Sequence, residues 1–386
     1  DRSVMLSGPK EVYIQSAYLS FIDQIKLQMR LKIFPRFWFQ KAIKKYDSTI
    51  KERNPLFEEN ILDEEIIKVL KYMISRHIPK SYLEGYLQLK TEVKKSPLPI
   101  EPASIFTCDS YGYDDAFKLW SAEQVENGSR LIIGQHGGHY GIGLLNADEE
   151  HQISISDKFL SWGWTDSEKK NISKVGLFSR MSKKENKKDG DLILVSTNFN
   201  RYSYRLFSVP LAGQWHNYFS IRRDFIELLP ETIRESTILR LYNKDYGREE
   251  KQRWLNKFPN IKIDSGKGGI EKLYKNGRLI VHDYNASSFL ETLALNYPTV
   301  IFWDKSFWEI RPEAKDYFQE LKRMGIFHDS SLSAANHIKN IWDDVDGWWY
   351  EPSTQAARAR FCKNYVNKSE DTLTLLTEEL LYLNKI

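Results

Sequence analysis

Short apolar runs ending in turn residues recur along this chain, and helix-length segments separate them. That alternation indicates parallel βαβ units, and therefore an α/β, doubly wound sheet covered by helices. In the first half, strand patterns fall at Glu11–Ala17, Ser104–Thr107 and Arg130–Gly134. Helical spacing covers Phe21–Ile33, residues 58–95 as one or two helices, and Asp114–Val125, with Ile61, Ile66, Ile67, Leu70 and Met73 forming a stripe. A second series places strands at Leu192–Thr197, Thr237–Leu241, Ile261–Asp264, Leu279–Val281 and Thr299–Phe302, with a short one at Ile326–His328. Helices are expected between them near 216–228, 249–257, 270–275, 287–296 and 312–324, and at the end over 334–346 and 353–384.

With 386 residues there is material for two cores. Between Ser179 and Gly190 the chain loses apolar periodicity and becomes densely basic, which marks a linker. The expected organisation is an N-terminal Rossmann-like domain over 1–183 and a nucleotide-binding Rossmann-like domain over 184–350. C-terminal helices over 351–386 can cross back onto the first. A ligand would sit in the cleft between the two.

The net charge of +4 lacks the concentrated basic excess of a nucleic-acid binder. Cys108 and Cys362 cannot build a disulfide framework, so a reducing, cytoplasmic compartment is expected. No run of 18 apolar residues offers a membrane span. The chain opens at Asp1 without Met or a signal-peptide pattern, as a fragment, a processed chain or a trimmed one would.

The segment Leu131-Ile-Ile-Gly-Gln-His-Gly-Gly-His-Tyr-Gly-Ile-Gly143 runs a buried strand into a loop with two histidines. Gly134, Gly137 and Gly138 let backbone approach a ligand closely, at the carboxyl end of a strand where parallel sheets bind ligands. His136 or His139 is positioned to act as a general base. A tight turn with hydrogen-bonded histidines is the plainer alternative. These histidines form no metal motif, and neither Asp189-Gly-Asp191 nor Asp344-Val-Asp346 follows a strand as a metal-nucleotide DxD would. No metal is expected. Gly266-Lys-Gly-Gly269 lacks the Walker frame.

Residues Leu279–Trp303 spell a strand, a polar loop, an amphipathic helix and a second strand. Ser287 and Ser288 fall at the helix start, with Glu291 in capping-box spacing from Ser288. The same N–H groups and hydroxyls make an anion site, and His282 and Asp283 add polar reach. Asn198 and Arg201 follow the first strand of this half, and Arg240, Tyr242 and Lys244 end its second, where cationic and amide groups suit a nucleotide phosphate. Ser161-Trp-Gly-Trp-Thr-Asp166 ends a strand, and its tryptophans suit either a core or a sugar platform.

The order Gln135-His-Gly-Gly138, Ser156–Trp164, Arg240-Leu-Tyr242 and His282-Asp-Tyr-Asn-Ala-Ser-Ser-Phe-Leu-Glu291 resembles a bacterial family of transferases associated with O-antigen and other surface polysaccharides. It is more distantly similar to GT-B glycosyltransferases that use CMP-activated Kdo, sialic or nonulosonic acids, and to CDP-glycerol glycerophosphotransferases. The resemblance implies a GT-B-like fold and transfer of a sugar from a CMP donor onto a lipopolysaccharide or O-antigen precursor. Alternatives are a CDP-glycerol, UDP- or GDP-sugar donor, or a non-catalytic carbohydrate-binding assembly protein. The His136 loop would face a glycan or lipid-linked acceptor and the 282–291 segment would hold the nucleotide sugar. No further cofactor is implied, and the contact with the inner membrane would be peripheral, at its cytoplasmic face.

Overall fold

A computed structural model describes residues 11–35, 37, 64–178, 187–203, 207–368 and 371–383. The basic run at 179–186 and Ile61 of the expected stripe lie outside the described residues. Two compact units emerge: one holds described residues of 1–17, 25–132 and 379–386, the other those of 18–24 and 133–378.

Two sheets carry the fold. The first has the order β1 (Val12–Gln15), β2 (Ser104–Thr107), β3 (Arg130–Gly134), β4 (Lys158–Ser161) and β5 (Ile172–Lys174). The pairs β1–β2 and β4–β5 are parallel. The division between the units falls inside β3, after Ile132. In the first unit the helix Asp115–Glu126 starts at Asp114, whose side chain accepts from the N–H of Phe117. The helical pattern expected over 58–95 resolves into Glu65–His77 and Tyr86–Lys94. It breaks because Pro79 forces Ile78 out of helical geometry.

The second unit contains the whole of the second sheet: β6 (Asp191–Val195), β7 (Thr237–Arg240), β8 (Lys262–Asp264), β9 (Gly277–His282), β10 (Thr299–Phe302) and β11 (Phe327–His328). Its order is β11-β10-β9-β6-β7-β8, and all five neighbouring pairs are parallel. Interior strands of this kind are covered on both faces, and the runs Leu192–Val195, Leu279–Val281 and Val300–Phe302 are correspondingly apolar. Leu192 and Leu194 join Leu239, Leu279, Val281, Val300 and Phe302 in one core beside Trp215 and Phe225. Ile193 and Val195 point the other way, onto Tyr274, Leu295 and Tyr297. The chain builds outward from β6 through β7 to β8, then returns to β6's other side for β9. The order therefore reverses between β6 and β9, which is where doubly wound sheets open a ligand crevice at the carboxyl ends of their strands.

The α/β class with two parallel sheets is as the sequence predicts, and the six strands of the second half appear where expected to within two residues. The closing helices differ. The segment expected as one helix over 334–346 is divided into Ser331–Ile341 and Val345–Trp349, because Asp344 caps the second by accepting from Gly347 N–H. The pattern over 353–384 likewise forms two helices, Pro352–Tyr365 and Thr372–Leu383. No helix among the described residues is long and apolar enough to cross a membrane.

Candidate active site

At the end of β3 the side chain of Gln135 is fully buried and hydrogen-bonded through both its oxygen and its nitrogen. Its Oε1 accepts from Trp162 N–H at 3.0 Å and Trp164 Nε1 at 2.9 Å, and its amide donates to the carbonyl of Gly137 at 2.8 Å. The two tryptophans of Ser161-Trp-Gly-Trp164 are 2% exposed each, so they fix the entry to the glycine loop and offer no face to a sugar. Beyond them, the N–H of Gly138 donates to Ser287 Oγ at 2.8 Å. A Cβ on Gly138 would lie 2.3 Å from the carbonyl carbon of Ala286, so only glycine permits this approach.

The loop then turns through His139, in left-handed geometry at φ 77°, and Gly141, whose N–H donates to Glu149 Oε2 at 2.7 Å. Glu149 is buried and pairs with Arg311 at 2.8 Å, which ties the loop to the segment after β10. The His139 ring is buried, and its Nε2 lies 3.0 Å from the carbonyl of Ser208. A carbonyl only accepts, so this bond places a proton on Nε2. His136 is half-buried between the rings of Tyr18 and Tyr140, at centroid distances of 5.9 and 5.5 Å.

At the end of β9 the expected cap is absent. The helix Ser287–Ala294 is preceded by Ala286 in extended geometry, with no side-chain cap. The serine hydroxyls are occupied elsewhere: Ser287 accepts from Gly138, while Ser288 lies 3.0 Å from His282 Nδ1 and 2.7 Å from the Tyr284 hydroxyl. His282 is wholly buried, which lowers it to about 3 and keeps it neutral. Asp283 accepts from Tyr218 and Ser196 at 2.5 Å each, and burial pushes it up to about 6 against the pull of Arg222. Arg222 is itself buried with Glu250 at 2.5 Å. These groups form a polar core beneath the site.

Glu291 is half-buried, and burial, reinforced by Glu271, pushes it up to about 7. A carboxyl that holds its proton more tightly when folded favours the fold below pH ~4.5 and loses that contribution as pH rises through 7. Glu291→Gln should match wild type near pH 4.5 and exceed it near pH 8, by about 2 kcal/mol after allowance for partial exposure. Urea unfolding at the two pH values measures this, and parallel profiles would show an ordinary carboxylate.

A cavity of ≈ 220 Å³ opens above this core, in the second unit. Its walls come from Gly138 and His139, from Thr197–Asn200 after β6, from Tyr242 and Tyr246 after β7, from Tyr284–Ala286 after β9, and from Trp308 after β10. Of the expected donor residues, Asn198 and Tyr242 line it directly. Asn198 also braces two loops, accepting from Trp215 Nε1 at 3.0 Å and donating to the Asp245 carbonyl at 3.0 Å. Arg201 and Lys244 are exposed, and Arg201 donates to the Gly247 carbonyl at 3.4 Å. Arg240 turns away, pairing with Asp264 and donating to the carbonyls of Gly266 and Gly268. Asn285 and Trp308 line the cavity without having been singled out from sequence. Asn285 lies within the 282–291 segment, but nothing local separates its amide from a loop residue's. Among the described residues no group of three or more His, Cys, Asp or Glu is placed to hold a metal ion.

A family model described as the LIC12162 family transferase matches residues 2–380. No curated protein sequence matches. Among solved structures, similarity extends to the pneumococcal O-GlcNAc transferase GtfA in complex with UDP and GlcNAc, at TM-score 0.47 and 10% identity over 76% of this chain and 59% of that one. TarM matches at TM-score 0.45 and 12% identity, over 74% of this chain and 55% of that one. The wall teichoic acid polymerase TagF matches at 0.42 and 12%, over 99% and 90%.

Proposed function

Because the chain belongs to the LIC12162 family of transferases, we propose that it is a GT-B-like glycosyltransferase. Its cavity would receive a nucleotide-activated sugar and pass the glycosyl group to a surface-polysaccharide or O-antigen precursor. The observation that carries this reading is the cavity's position, at the carboxyl ends of β6 and β9 where the strand order reverses, with a histidine loop forming one wall.

In this proposal the first N–H groups of the helix Ser287–Ala294 meet the donor phosphate, and Ser287, Arg201 and Lys244 complete its surroundings. Asn198 and Tyr242 contact the donor directly, and Glu291 accepts from its hydroxyls. Arg240, His282, Asp283 and Ser288 hold the walls in place. A histidine of the loop takes the acceptor proton as the glycosyl bond forms, and the nucleotide leaves with the electron pair of the broken bond. His139 is favoured for that task because it lines the cavity with its Nε2 proton held by the Ser208 carbonyl; Gly138 gives its loop the required approach. The activated donor brings its own leaving group, so the proposal assigns no cofactor. A lipid-linked acceptor would draw the enzyme to the cytoplasmic face of the inner membrane as a peripheral protein.

The donor proposed first, from the resemblance of the 282–291 segment, is a CMP-activated ulosonic acid such as Kdo. A second reading, with CDP-glycerol or a UDP- or GDP-sugar, is favoured by the cavity wall, which among the described residues has no lysine or arginine to meet a sugar carboxylate. Thermal shift with CMP, CDP, UDP and GDP separates the two. A ligand at a hundred times its Kd stabilises by about 2.7 kcal/mol, a rise on the order of 5 °C. A shift with CMP alone selects the first reading, and a shift with CDP, UDP or GDP the second. If no nucleotide moves the melting temperature, the donor assignment is wrong.

A further inference from the structure

We propose that Asn285 reads the hydroxyl pattern of the transferred sugar, its carboxamide donating to one hydroxyl of the ring and accepting from the neighbouring one. This rests on the glycosyl-transfer reading above.

Asn285 lines the cavity and is 1% exposed, yet among the described residues neither its Oδ1 nor its Nδ2 has a hydrogen-bond partner. A buried polar group left in this way destabilises a fold, and an apolar residue of similar shape would not. Its neighbours behave differently. Asp283, Ser287, Ser288 and Asn198 all spend their polar atoms within the protein. The amide of Asn285 is thus an unmet demand in the cavity wall, which among the described residues it shares with the buried indole N–H of Trp308.

Position identifies the partner. Asn285 precedes Ala286, whose backbone touches Gly138 of the histidine loop, and His139 lines the same cavity. Whatever presses on Asn285 therefore lies beside the proposed base and is the group being transferred, not the nucleobase. Tyr242, Tyr246, Tyr284 and Trp308 surround it with aromatic surface suited to the apolar faces of a sugar ring. A carboxamide offers one donor edge and one acceptor edge side by side, which complements adjacent hydroxyls.

The test uses Asn285→Leu, with Asn285→Ala in case leucine does not fit. Binding is measured by calorimetry for CMP against CMP-N-acetylneuraminate, UDP against UDP-N-acetylglucosamine and GDP against GDP-mannose. In wild type one sugar nucleotide should bind more tightly than its bare nucleotide. The variants should lose at least ~10-fold for that sugar nucleotide, stay within about twofold for the bare one, and melt a few degrees higher without ligand, because two orphaned atoms are gone. Equal losses for both ligands, unchanged binding of both, or a wild type to which no sugar adds affinity would overturn the assignment to sugar. A wild type that binds no nucleotide at all removes the donor reading, and this assignment with it.

Discussion

Gly138→Ala is expected to lower kcat/KM by at least ~100-fold while leaving the secondary structure intact by circular dichroism. The added Cβ would sit 2.3 Å from the Ala286 carbonyl carbon and 2.5 Å from both the Ala286 oxygen and the Ser287 nitrogen. All three are backbone atoms, so no rotamer change relieves the clash and the two loops must part by about 1 Å. Parting them breaks the Gly138 N–H bond to Ser287 Oγ and moves the histidine loop off the cavity wall. A displacement of that size at a reacting centre costs about two orders of magnitude, and overpacking lowers stability by about 1–3 kcal/mol. Gly137→Ala is the control. Its Cβ meets only Ser287 Oγ at 3.4 Å, an ordinary contact, so activity should stay within about threefold. If Gly138→Ala retained half its activity, the contact between these loops would be irrelevant to turnover.

How much of this was legible beforehand follows from where each signal resides. β3, β6, β9 and β10 are buried on both faces, so their sequences are continuous apolar runs and stand out. The glycine loop stands out too, because close backbone approach demands one residue type. The elements passed over were those with weaker signals. β5 has three residues, and the helix Ala147–Ile155 buries Glu149 and Gln152, which blurs its apolar stripe. Its start did carry a cue: Asn146 accepts from the Glu149 N–H, an Asn-x-x-Glu spacing.

In the site, sequence located the right loops but not the assignment of each polar atom. Arg240 ends β7 as expected, yet it faces Asp264 because β8 ends beside it. Ser288 bonds to His282 six residues back because the strand and helix fold onto each other. The orphaned amide of Asn285 is visible only once every neighbour's partner is known. Local patterns specify elements; tertiary pairing decides which side chains remain available to a ligand.

The two histidines of the glycine loop can be told apart by matched substitutions. His139→Asn is expected to reduce kcat by about 10²–10⁴-fold, the usual range for loss of a general base, with KM for the donor changed by less than about threefold. Asparagine is the appropriate replacement because position 139 has φ 77°, which asparagine tolerates better than alanine. Its side chain cannot take up a proton, so the base is removed while the backbone is spared. Some stability loss is expected, since the buried ring packs over Gly143 and its Nε2 bond to Ser208 is lost. Rates must therefore be compared well below both melting temperatures. His136→Asn removes a ring held between Tyr18 and Tyr140 that does not line the cavity, and turnover should fall by less than about 10-fold. The reverse outcome, with kcat abolished by His136→Asn and spared by His139→Asn, would move the base to His136. The reacting centre would then lie on the Tyr18 side of the loop, outside the cavity that Asn285 lines. Loss of nucleotide binding in His139→Asn with the fold preserved would instead make His139 part of the donor site.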